Sequence, residues 1–72
     1  MTLVEALELG MECGDDTVEE AIINVEIHST SLFVYENINR ELNELYAGVN
    51  ALEASGGNLE MGINDAIILM KS

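Results

Sequence analysis

Apolar residues recur along this chain at helical spacing, in stretches punctuated by glycine and serine rather than by proline, which is absent. In the first stretch Leu3, Ala6, Leu7 and Gly10 form one stripe, and Glu5, Glu8 and Glu12 form the opposite one. Thr2-Leu3-Val4-Glu5 reads as a capping box, in which side chains and backbone amides at a helix start satisfy each other. Cys13-Gly14 reads as its end, with Gly14 suited to a left-handed cap. Thr17-Val18-Glu19-Glu20 is a second capping box, and the acids around it suit the positive end of a helix dipole. The two starts share Thr-x-x-Glu-Ala, which capping grammar explains better than duplication. Val18, Ala21, Ile22 and Val25 then recur at i, i+3, i+4 and i+7. Ile23-Asn24-Val25-Glu26-Ile27-His28 complicates this reading, because it alternates and is β-branched at every apolar site, a strand pattern. The upstream caps favour helix, and residues 22–28 stay open between the two.

Ser29-Thr30-Ser31 predicts a break. Beyond it Tyr35, Ile38, Leu42, Leu45, Val49 and Leu52 alternate spacings of three and four, a heptad seam ended by Ser55-Gly56-Gly57. Such a seam packs either against the chain's own core or against a second copy. Gly48 weakens this helix but permits close helix contact. The last segment, Asn58 to Ser72, places Leu59, Ile63, Ala66, Ile67 and Met70 on one face and leaves Ile68 and Leu69 outside it. A helix apolar nearly all round is usually buried on more than one side. The expectation is a single acidic all-α domain over residues 1–72, a bundle of three to four short helices. With 49% hydrophobic residues, more than so small a bundle hides easily, it is also expected to be a homo-oligomer. Phe33, Tyr35 and Tyr46 are candidates for an aromatic contact patch, with Phe33 better suited to the core.

Charge changes the picture most. Fourteen acids face two bases, Arg40 and Lys71, for a net charge of -12, and the first 39 residues hold no base. Such a field repels nucleic acid and anionic membrane and attracts basic surfaces. Direct nucleic-acid binding and membrane binding are therefore excluded, and a basic protein partner is expected. Solubility alone would also account for the acids. The sharper reading is that Glu5, Glu8, Glu12, Asp15, Asp16, Glu19 and Glu20 imitate a phosphate ladder and occupy a partner's basic channel.

The chemistry of catalysis finds little footing. Cys13 and His28 are the only thiol and imidazole, with no third group to orient them. Asp15, Asp16, Glu19 and Glu20 lack the alternation and central glycine of a calcium loop. Glu26 and His28 are two apart rather than three, so the Glu-x-x-His signature is missing. No enzyme, metal or cofactor is expected. One cysteine fits a reducing compartment, Met1-Thr2-Leu3 lacks the basic start of a signal peptide, and the run Ala66–Met70 is far short of the ~20 residues of a membrane span. The expected location is cytoplasmic, in the chain's own cell or in a host.

Leu9-Gly10-Met11-Glu12-Cys13-Gly14, Thr17-Val18-Glu19-Glu20-Ala21 and Asn24-Val25 resemble the opening of short accessory proteins encoded by bacteriophages and prophages. Leu32-Phe33-Val34-Tyr35-Glu36 and Glu41-Leu42-Asn43-Glu44-Leu45-Tyr46 extend the similarity. The resemblance implies a virus-encoded protein acting in a bacterial host cytoplasm as an inhibitor of host defence or host machinery. It assigns no site residues. Two other functions stay open. One is a sponge holding a nucleotide-like small molecule between helices of an oligomer, with Arg40 as its first contact. The other is an assembly subunit docked through its last helix.

Overall fold

The computed structural model describes all of residues 1–72; it is 74% helical and contains no strand. α1 spans Leu3–Glu12 and begins as its first residues dictate. The Glu5 amide donates to the Thr2 hydroxyl at 3.2 Å, and the Thr2 amide donates to the Glu5 carboxylate at 3.0 Å. α2 spans Val18–Ile27, with the Glu20 amide donating to the Thr17 hydroxyl at 3.3 Å. Here the returning Glu20 carboxylate accepts from the Thr17 hydroxyl instead of its amide. Residues 22–27 are helical, so the strand-like alternation yields to the caps and to the buried stripe Val18, Ala21, Ile22 and Val25.

The break expected at Ser29-Thr30-Ser31 is instead a single turn of helix, α3, Ser29–Leu32, which brings the helix count to five. The His28 carbonyl accepts from both the Ser31 and Leu32 amides at 2.9 Å and so starts this turn at once. A 3-10 turn over Tyr35–Asn37 leads into α4, Ile38–Ala54. α5 spans Ile63–Lys71 and is shorter than the apolar pattern from Asn58 predicts. Asn58 folds back locally, its side-chain oxygen accepting from the Glu60 amide at 2.9 Å. Gly62 is extended and forms an antiparallel bridge with Thr17.

Eleven residues form the core: Leu3, Ala6 and Leu7 of α1, four from α2, Leu45 and Leu52 of α4, and Ile63 and Ala66 of α5. Leu45 and Leu52 are completely buried, and Leu42 and Val49 pack against the core as partly buried residues. Leu45 and Leu52 of the heptad seam thus belong to this chain's own core, while Ile38, Leu42 and Val49 are half-buried. Tyr35, the seam's expected first member, is 86% exposed and lies before α4. Leu69 packs against the core, whereas Ile68 is exposed. The radius of gyration is 11.4 Å, against about 11 Å for a compact chain of this length, so no arm extends from the body.

Candidate functional site

α1, the α1–α2 loop and the first turn of α2 carry the seven acids expected to act together. Glu8 and Glu12 are exposed on α1, one helical turn apart at about 6 Å of rise. Glu5 is exposed too but serves the capping box, and hydrogen bonds from the Thr2 amide and then the Thr2 hydroxyl hold its carboxyl below the usual carboxylate range. The loop starts at Gly14, whose φ of 87° suits glycine, and the Asp15 amide donates back to the Gly10 carbonyl at 2.8 Å. That closure turns Asp15 toward α2, where it accepts from the Asn24 side chain at 3.3 Å. Asp16, Glu19 and Glu20 are exposed beside it.

None of these seven carboxylates has a cationic partner. The Met1 amine pairs with Glu41 and, at 2.7 Å, with Glu44, and Arg40 lies 3.8 Å from Glu41. Every ion pair in the molecule therefore involves an acid of α4. Burial alone would depress the Met1 amine, but the hydrogen bonds and charges of Glu41 and Glu44 outweigh it and raise its pKa. On the far side of α2, the Tyr46 hydroxyl donates to Glu26 at 2.5 Å, which pushes the phenol above its ordinary value.

Next to the acids lies a feature that sequence reasoning missed. Two adjacent open hollows, about 380 and 300 Å³, share Cys13 and Asn24 as common wall residues and make up a two-part groove. Asp15, Glu20, Ile23 and Ile27 line the first; Leu9, His28 and Leu32 line the second, between the end of α1, α2 and α3. Ile23, Ile27 and Leu32 are 44%, 67% and 40% exposed. The signal was present in the alternation that looked like a strand: on a helix, Ile23 and Ile27 fall one turn apart while Val25 points the opposite way. Cys13 and His28 also meet at this groove, yet no hydrogen bond joins them. No set of three His, Cys, Asp or Glu side chains is grouped to hold a metal ion. No helix is long and apolar enough to cross a membrane. Phe33 packs partly against the core, and Tyr46 is partly exposed.

Comparison with protein families, characterised proteins and solved structures gives no match.

Proposed function

We propose that this chain is a non-enzymatic interaction protein of the bacteriophage type, which blocks a basic host protein through its acidic face and helix contacts. The observation that carries this reading is that none of the seven acids of α1, the loop and α2 forms an ion pair, while every ion pair in the molecule is made with α4. An uncompensated field of this kind steers basic surfaces into contact and competes for sites that hold phosphates. A sponge for anionic small molecules has less support. Arg40 is 72% exposed and turned to Glu41, and the larger hollow beside α2 is lined by the carboxylates Asp15 and Glu20.

The test is the association rate with a host protein captured from lysate. Replacing Asp15 and Asp16 by asparagine, and Glu19 and Glu20 by glutamine, should slow association at low salt at least tenfold while leaving the helical circular dichroism intact. Nucleic acid should compete with the native protein for the partner. A rate indifferent to both the substitutions and the competitor would rule the reading out. An assembly role would instead respond to Ile68→Ser and ignore the acids.

A further inference from the structure

We propose that the groove between the end of α1, the outward side of α2 and α3 seats a basic amphipathic helix of the partner. This rests on the acidic-face reading and adds to it where the partner lies and what conformation it takes. Single exposed aliphatic side chains are ordinary on a small protein, but here Ile23 and Ile27 line one hollow and Leu32 lines the hollow beside it, the two sharing Cys13 and Asn24. Its wall group Asn24 donates one amide hydrogen to Asp15 and keeps its carbonyl oxygen and second amide hydrogen for an occupant or for water. Asp15 and Glu20 stand at one end of the groove, and no lysine or arginine occurs in the first 39 residues.

An apolar floor with an acidic end complements a helix whose apolar residues recur at i, i+3 and i+4 and whose flanks carry lysine or arginine. A strand is a poorer occupant, because the chain offers no sheet edge for it to extend; its one β-bridge is internal. A second copy is poorer still. It would bring another charge of -12 and set acids against acids.

The probe is a fluorescent peptide of leucine and lysine, about 18 residues long so that it can hold a helix, beside a scrambled isomer of the same composition. The amphipathic peptide should bind at least tenfold tighter than its isomer, gain helical circular dichroism on binding, and protect Cys13 from iodoacetamide. Ile23→Ser with Ile27→Ser, both at exposed positions, should remove about tenfold in affinity without moving the melting temperature. Equal, salt-sensitive binding of the two peptides would overturn the groove and keep the acidic face; binding of neither at low salt would overturn both. Cys13 still reactive at saturation would also overturn the groove. So would a dimer of the free chain that the two serine substitutions dissociate.

Discussion

Thr17 and Gly62 face each other across an antiparallel bridge, with the Val18 amide donating to the Met61 carbonyl and the Ile63 amide to the Asp16 carbonyl, both at 3.1 Å. The two bonds are related by a local two-fold, and the flanking residues follow it. Val18-Glu19-Glu20-Ala21-Ile22-Ile23 corresponds to Ile63-Asn64-Asp65-Ala66-Ile67-Ile68, with Val18, Ala21, Ile63 and Ala66 all buried. Each of these helices follows a helix closed by a left-handed glycine, Gly14 at φ 87° and Gly56 at φ 94°. The internal likeness is therefore between α1–α2 and α4–α5, and not between the two Thr-x-x-Glu-Ala starts. The correspondence leaves one vacancy: Thr17 caps α2 with its side chain, and Gly62 has none to cap α5.

Gly62→Ser should therefore stabilise the protein. A β-carbon there meets nothing closer than 3.7 Å, and the extended backbone suits a capping serine. The cap and the reduced freedom of the unfolded chain together contribute about 0.5–1.5 kcal/mol. For a domain of this size that raises the melting temperature by a few degrees, measurable by circular dichroism.

Gly10 and Gly48 should behave oppositely. A β-carbon at Gly10 would sit 2.7 Å from that of Ala21, and one at Gly48 would sit 2.7 Å from that of Leu3 and 3.3 Å from the Leu3 amide nitrogen. Alanine gains about 1 kcal/mol of helix propensity, but overpacking a contact between helices costs about 1–3 kcal/mol. Both variants should melt lower than the native protein. Two that melt higher would mean the helices separate at little cost.

Leu45→Ala should cost about 2–5 kcal/mol, because it leaves a cavity in a core of only eleven residues. Tyr35→Ala, at a position 86% exposed, should leave stability nearly unchanged. Denaturant unfolding of both variants separates a core stripe from a seam between copies, which would lose stability at both positions and show it as a concentration dependence.

The elements most legible in the sequence were those specified locally. Thr2, Thr17, Gly14 and Gly56 set helix ends through bonds within a few residues, and the capped starts outweighed the alternation at Ile23–His28. What was not legible depends on partners distant in the chain. Residues 58–62 look apolar enough to be helix, but Gly62 is held extended by Thr17, which no local pattern reveals. The same holds for the groove. Ile23 and Leu32 could be assigned to adjoining hollows only once α3 was seen to pack beside α2.

Alkaline pH should weaken the fold in two steps. The Met1 amine has a raised pKa in the folded state, so its pairing with Glu41 and Glu44 contributes fully below the unfolded value of about 8 and is lost as pH rises through the folded one. Tyr46 is raised by its hydrogen bond to Glu26, so that contribution is complete below about 10 and fades above the folded value. Melting temperature should fall from pH 8 upward, and Tyr46→Phe should remove the upper step alone. At the other end, the lowered Glu5 carboxyl contributes above about 4.3 and is lost as pH drops through its folded value. A melting temperature flat from pH 8 to 11 would show that neither bond persists in solution.

Glu8 and Glu12 bear most directly on function, because helix physics alone would not put them there. They stand at i and i+4 with like charge, which costs an isolated helix about 0.2–0.5 kcal/mol. Glu12 also occupies the last turn of α1, where the dipole favours a cation and no base is present. Neither side chain hydrogen-bonds or pairs with anything, unlike Glu5, Asp15 and Glu20 of the same face. Glu8→Gln with Glu12→Gln should accordingly raise the melting temperature by a few degrees at low salt, with the gain shrinking as salt screens the field. The same variant should associate more slowly with the basic partner at low salt and converge on the native rate at high salt. Stability gained together with association lost is the signature of acids held for binding. If the variant gains stability and binds as fast as before, the partner's contact lies at the loop and α2, and the α1 acids serve solubility alone.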